Sequence, residues 1–202
     1  MIVISNPIAI ANEINLIHSL LEEGLELFHV RKPDYSEIEI TKFLDQIKTE
    51  FRSNLVLHNH HHIAEDFGID RIHFSENSRK SVVASPARFP KPCRYSTSTH
   101  SIQDFNSLQN DFEYAFLSPV FESISKENYF PKTDLFEAIK SRKNFKTKVI
   151  ALGGINSENI QKTFENGFDD VALLGAIWSN ENPLKQFKLC QKIVRTYLLS
   201  QV

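Results

Sequence analysis

The sequence predicts a compact (β/α)8 barrel in the α/β class, a single TIM-barrel domain over residues 1–202, and three observations carry that expectation. Eight short apolar, β-branched or aromatic runs recur along the 202 residues. Amphipathic segments lie between most of them, and glycine-bearing turns follow the last two. Eight strands with intervening helices in about 200 residues match the lower size limit of this barrel. An open doubly wound sheet is the competing arrangement. Against it, Ser5-Asn6-Pro7-Ile8 follows the first strand where a Gly-x-Gly-x-x-Gly turn would hold a dinucleotide.

Strands are expected at Ile2 to Ile4, Leu25 to Val30, Asn54 to Leu57, Arg71 to Phe74, Cys93 to Tyr95, Tyr114 to Leu117, Val149 to Leu152 and Val171 to Leu174. Nearly unbroken apolar runs suit parallel strands buried on both faces, and parallel neighbours need a crossover helix between them. Ile14, Ile17, Leu20 and Leu21 recur at helical spacing after the first strand, as do Ile38, Phe43, Leu44 and Ile47 after the second. The stretch from Ser75 to Pro92, with Pro86, Pro90 and Pro92, is the poorest helix candidate and reads as an irregular connection. The unit from Val149 to Leu174 is the best defined. Its helix is expected to start at Asn156 as N-cap, with Glu158 in the first turn and Ile155 and Ile160 forming a hydrophobic staple. Gly167 is placed to take the left-handed conformation that ends it.

Composition narrows the function classes. Hydrophobic residues make up 41% of the chain and charged residues 24%, as in an ordinary folded domain. With Lys and Arg totalling 23 against 25 for Asp and Glu, the net charge of -2 offers no broad field for nucleic acid or an anionic membrane. Neither is expected as a partner. Cys93 and Cys190 follow no metal or redox spacing and read as free thiols of a reducing compartment. The longest apolar stretch, Val171 to Trp178 with Gly175 inside it, is too short to span a bilayer, and Met1 to Pro7 lacks a basic leader. A cytoplasmic location is expected.

Barrel chemistry sits at the carboxyl ends of the strands. After the second strand, alternation puts His29 and Arg31 on one face, so that Arg31 projects into the mouth with a fork of donors suited to phosphate. By itself a surface arginine closing a strand is the simpler explanation. The third strand ends in His58-Asn59-His60-His61-His62. A zinc site needs three or four converging ligands with oriented outer partners, and the run alone supplies neither, so no protein metal ligand is assigned. His60 to His62 read as the exposed start of a helix, with His58 the strongest functional candidate. His29, His73 and His100 also lie near strand ends, which keeps a metal-dependent hydrolase as a minority reading.

The turn Ser96-Thr97-Ser98-Thr99-His100-Ser101 is rich in hydroxyls, and helix capping explains Ser101 but not the whole run. After the sixth strand, Ser123, Ser125 and Lys126 form a candidate anion cradle. The glycine loops are more specific. Gly accounts for only 6 of 202 residues, and three of them, Gly153, Gly154 and Gly175, follow strands seven and eight. There, main-chain amides commonly hold phosphate in barrels.

Taken in order, HVRKP, the strand leading to IHFSE, YSTSTHS, SPVFESISK, VIALGGI and VALLGAI resemble successive motifs of the thiamine phosphate synthase and thiazole tautomerase (TenI-like) superfamily, over nearly the whole chain. The resemblance implies thiamine biosynthesis. A transferase of this kind joins 4-amino-2-methyl-5-hydroxymethylpyrimidine diphosphate to a thiazole phosphate, releasing diphosphate and leaving thiamine phosphate. It implies that Arg31, Ser98, Ser123, Ser125 and Lys126 hold the diphosphate, and that Gly153, Gly154, Leu174 and Gly175 hold the thiazole phosphate. His29 falls where synthases carry a pyrimidine-contacting Gln and tautomerases often carry His, so Arg31, Lys126 and His29 form the expected catalytic set.

The departures from the family pattern are informative. Arg31-Lys32-Pro33 stands where synthases have Arg-Glu-Lys, so a diphosphate-binding lysine is missing or displaced by one place. The two aspartates that hold Mg²⁺ in synthases align with Asn59 and Ser78, a loss that weakens the expected Mg²⁺ site, with Glu76 the nearby carboxylate that remains. The histidine that some tautomerases carry after the sixth strand aligns with Pro119. Four readings stay open: synthase, tautomerase with His29 or His100 as the proton-transfer group, silent binder of the same phosphorylated small molecules, and metal hydrolase. The resemblance leaves room for a homodimer.

Overall fold

The computed structural model describes residues 1–82, 93–109, 112–122 and 133–201. Eight parallel strands close into a barrel in chain order: β1 (Ile2–Ile4), β2 (Leu27–Val30), β3 (Leu55–Leu57), β4 (Arg71–Phe74), β5 (Arg94–Thr99), β6 (Phe112–Leu117), β7 (Lys148–Ala151) and β8 (Asp170–Leu173). The helices are α1 (Glu13–Glu22), α2 (Glu37–Asp45), α3 (Glu76–Val82), α4 (Ile102–Asn106), α5 (Leu135–Ala138), α6 (Ile160–Glu165), α7 (Gly175–Trp178) and α8 (Pro183–Leu199). The (β/α)8 expectation holds, and no described helix is long and apolar enough to cross a membrane.

Strand alternation builds two cores. Outward residues such as Val3, Phe28, Val30, Leu55, Leu57, Val149, Val171 and Leu173 pack with Ile17, Leu20, Leu44, Phe105, Ile160, Ile177 and Phe187 in the layer between barrel and helices. Inward residues Ile2, Ile4, Tyr114, Phe116, Ile150 and Ala172 fill part of the barrel itself. The rest of that interior is polar, with His29, His73 and Ser96 all buried. Side chains thus plug the barrel, and the described cavity reaches its centre from one end.

Several boundaries differ from the sequence expectation for local reasons. β5 extends through Thr99, so the hydroxyl run is strand rather than turn: Ser96 and Ser98 face the barrel histidines while Thr97 and Thr99 bond to Phe74 O and Phe116 O on neighbouring strands. Ser101 does cap α4, accepting from Asp104 N. The stretch beginning at Ser75 starts as helix α3, because Ser75 Oγ accepts from Ser78 N and Arg79 ties the helix to Thr97 and Asp104. The proline-rich remainder lies outside the described residues. In α2 the buried face is Ile40, Phe43 and Leu44, whereas Ile38 is exposed. Helix α6 begins at Ile160 behind Asn159; Asn156 instead organises the preceding turn by accepting from Glu158 N. Gly167 has the left-handed φ of +95° expected at the end of α6.

Lys32 is the largest surprise. Its ammonium lies between barrel and helices, 2.7 and 2.6 Å from the Glu13 carboxylate oxygens and 3.0 Å from Ile8 O. It faces the Tyr35 and Phe43 rings at 5.4 and 5.1 Å. Strand alternation sends Arg31 and Lys32 to opposite sides, so Lys32 does not replace the family's displaced lysine at the mouth. A buried pair tolerates joint replacement far better than the loss of one partner. Glu13→Gln is expected to lower the unfolding free energy by about 3–5 kcal/mol in urea titrations, and Glu13→Leu with Lys32→Met to recover most of it.

Candidate active site at the barrel mouth

A cavity of about 310 Å³ opens at the carboxyl ends of the strands, lined among others by Arg31, His58, His73, Ser98, His100 and Ser118 and by Gly153, Gly154, Leu174 and Gly175. It brings most of the expected substrate-binding residues together. Ser123, Ser125 and Lys126 lie outside the described residues. His29 is in the barrel but beneath the cavity, covered by His58 and His73.

Arg31 is positioned by its backbone. Buried Ser5 Oγ accepts from Arg31 N at 2.8 Å and donates to Arg31 O at 3.0 Å, which fixes the residue where β2 ends. Its guanidinium has no ion-pair partner among the described residues, while Lys32 beside it is fully committed. A free guanidinium at a cavity wall suits an anionic ligand.

The glycine loops owe their composition to packing. At Gly153 (φ +98°) a Cβ would lie 2.8 Å from Pro119 Cα, and at Gly154 (φ +66°) it would lie 2.2 Å from Glu122 O. The loop after β6 therefore rests directly on the loop after β7. The same absence of side chains leaves main chain on the cavity wall, and the N–H groups of Gly154 and Gly175 find no acceptor among the described residues. Trp178 Nε1 donates to Ile4 O at 2.6 Å and holds the turn containing Gly175 over the end of β1.

The cavity floor is a histidine cluster made by strand register. Leu57 pairs with Ile72, so one residue further His58 stands beside His73, and the two rings stack at 4.2 Å. His29 Nδ1 lies 2.8 Å from His58 Nε2, and His29 Nε2 lies 2.6 Å from Tyr114 Oη. His73 bonds Ser96 Oγ and Ser98 Oγ, each at 2.9 Å. Burial holds all three imidazoles well below the usual histidine range, His73 at about 3, so they are neutral at physiological pH. Burial raises the Tyr114 phenol further, which keeps it protonated. The sequence places a histidine within one residue of the end of each of three consecutive strands; that pattern, more than the His58–His62 run, is the signal for this cluster. His60 and His61 are half-buried and His62 exposed, around a 3₁₀ turn at His61–Ile63.

His100 Nδ1 donates to Ser118 O at 2.9 Å, and its Nε2 is 3.8 Å from Glu76. Glu76 is also paired with Lys80. The positions aligned with Mg²⁺ ligands hold neutral groups: Asn59 donates to Lys32 O, and Ser78 Oγ is bonded to Ser75 Oγ. With Glu76 already paired, the donors at Asn59 and Ser78 do not fit a protein-held Mg²⁺ ion, which favours carboxylate oxygens.

Fold and site together define a (β/α)8 barrel with a small-molecule cavity at the strand carboxyl ends. The family described as thiamine monophosphate synthase matches residues 1–177, and the chain belongs to it. It is 29% identical over 170 residues to a thiamine-phosphate synthase of Prochlorococcus marinus, covering 81% of this chain but about half, 48%, of that longer protein. It is 20% identical to the thiamine-phosphate synthase of Dictyoglomus thermophilum, covering 91% of this chain and 84% of that one. Among solved structures, thiamine phosphate pyrophosphorylase from Bacteroides thetaiotaomicron superimposes with a TM-score of 0.76 at 26% identity, over 96% of this chain and 97% of that one.

The buried neutral histidines set an acid sensitivity. In the unfolded chain His73 takes up a proton near pH 6.5, but in the folded chain only near pH 3. Stability is therefore complete above the unfolded value and falls with pH below it, by about 1.4 kcal/mol per unit from this residue. Urea titrations between pH 7 and 5 are expected to show this loss, with a shallower slope in His73→Asn by about that amount.

Proposed function

We propose that this chain couples 4-amino-2-methyl-5-hydroxymethylpyrimidine diphosphate with thiazole phosphate, giving thiamine phosphate and diphosphate. One observation carries the reading: in a member of this family, Arg31, with no ion-pair partner among the described residues, Ser98 and the main chain at Gly154 and Gly175 line a single cavity. In the step proposed, the bond between the pyrimidine methylene carbon and the diphosphate oxygen breaks, and the electron pair leaves with the diphosphate. The thiazole nitrogen lone pair then forms the new C–N bond at that carbon.

Arg31 and Ser98 donate to the leaving group as its charge grows, which lowers the barrier more than it favours the ground state. The amides at Gly154 and Gly175 hold the thiazole phosphate in place for attack. His58 and His73 form the floor beneath the pyrimidine. Because they are uncharged, they do not repel a cation forming above them. Lys126, Ser123 and Ser125 complete the diphosphate cradle in this proposal. Asn59 and Ser78 supply no charge, so a Mg²⁺ ion would have to be held by the substrate phosphates, whose oxygens it would neutralise.

The test is formation of thiamine phosphate from the two precursors, measured with and without Mg²⁺. Turnover is expected to need both precursors, and Arg31→Ala is expected to lower kcat/KM about 100-fold, the usual scale for losing one preorganised donor. Absence of product in both conditions, or an unaffected Arg31→Ala variant, would refute the proposal.

A further inference from the structure

We propose that His29, His58 and His73 form a binding site for a divalent transition-metal ion of the Zn²⁺ or Co²⁺ class. Each offers one ring nitrogen, and the three atoms all lie within 4.8 Å of one another. They come from β2, β3 and β4, three adjacent strands of a closed sheet, so their backbones are fixed in mutual register. Imidazole nitrogen is a preferred donor for these ions, whereas Mg²⁺ requires oxygen.

The surroundings fit ligand histidines. A metal-bound histidine usually gives its other N–H to an outer partner, which sets tautomer and ring orientation. His29 Nε2 already meets Tyr114 Oη, and His73 Nδ1 meets Ser96 Oγ. With His29 Nε2 protonated toward Tyr114, His58 Nε2–H donates to the His29 Nδ1 lone pair at 2.8 Å, and a metal ion takes the place of that shared proton, which leaves Nε2 of His58 for its Nδ1 or for solvent. Tetrahedral coordination at the usual Zn–N length needs about 3.3 Å between ligand nitrogens. The His29–His58 contact therefore opens by roughly half an ångström and the His73 ring swings inward from its serines.

No carboxylate belongs to the set, and Arg31 lines the same cavity. The bound ion keeps its full charge, so its remaining position, on the cavity side of His58 and His73, selects hydroxide or a phosphate oxygen. One consequence rests on the coupling reading: a dication in the floor and a pyrimidine cation above it repel, so metal occupancy and turnover exclude one another. Binding itself is independent of that reading.

The experiment uses the full chain without an affinity tag, stripped with chelator and titrated with Co²⁺ alone while visible absorption is recorded. The expected result is one equivalent per chain with the intense d–d bands of a four-coordinate site, displaced by Zn²⁺. His58→Gln, which preserves a hydrogen bond to His29, should weaken binding at least 10-fold with an unchanged melting temperature in chelator. His60→Ala with His62→Ala should leave binding intact. No binding by the wild-type chain, a weak six-coordinate spectrum, or binding that survives His58→Gln but disappears in the His60/His62 variant would overturn the site. The wild-type stoichiometry and spectrum decide the matter even if His58→Gln fails to fold. In the precursor assay, saturating Zn²⁺ should abolish coupling; persistence of coupling overturns the mutual exclusion while leaving the binding result in place.

Discussion

All eight strands run the same way around a closed ladder, and this single constraint places every strand's carboxyl end on one rim. Parallel pairing forces each return path through the outer layer, and the cavity opens at the rim. Residues separated by more than a hundred positions, such as Arg31 and Gly175, then share one cavity. Closure also dictates the interior. Side chains at alternate positions must fill it, and any polar group among them must find a partner there.

This chain meets that second demand with a hydrogen-bonded cluster rather than an all-apolar plug. His58, His29 and Tyr114 form one chain of contacts, while Ser96, His73 and Ser98 form another beside it. The opposite side of the barrel is closed by Ile2, Ile4, Phe116 and Ile150. The cavity thus has a polar floor on the side of β2 to β5 and an apolar wall toward β1, β7 and β8. A ligand with one hydrogen-bonding ring and one anionic group matches that division, as does Arg31 at the rim, which has no ion-pair partner among the described residues.

Much of this was legible in the sequence because it rested on local signals. Periodicity located all eight strands, Gly167 marked the end of α6, and Ser101 marked the start of α4. The glycines of the loops after β7 and β8 stood out by their scarcity elsewhere, and the structure adds the close approach of Pro119 and Glu122 as a reason for Gly153 and Gly154. What escaped depended on distant partners. The Ser96–Thr99 stretch looked like a turn because its hydroxyls are satisfied only by neighbouring strands. Lys32 looked like a displaced ligand because its pairing with Glu13 spans 19 positions. The three floor histidines converge only once the register of β2, β3 and β4 is known, and the adjacent run His60 to His62 drew attention from them.

The proposed coupling requires Arg31, Ser98 and the glycine-loop amides to face one anion-binding hollow. A crystal structure of the chain soaked with inorganic diphosphate tests it most directly. The account predicts diphosphate in the mouth cavity, with oxygens within hydrogen-bond distance of the Arg31 guanidinium and of at least one amide at Gly154 or Gly175. Diphosphate bound only elsewhere, with Arg31 turned out to solvent, would contradict it.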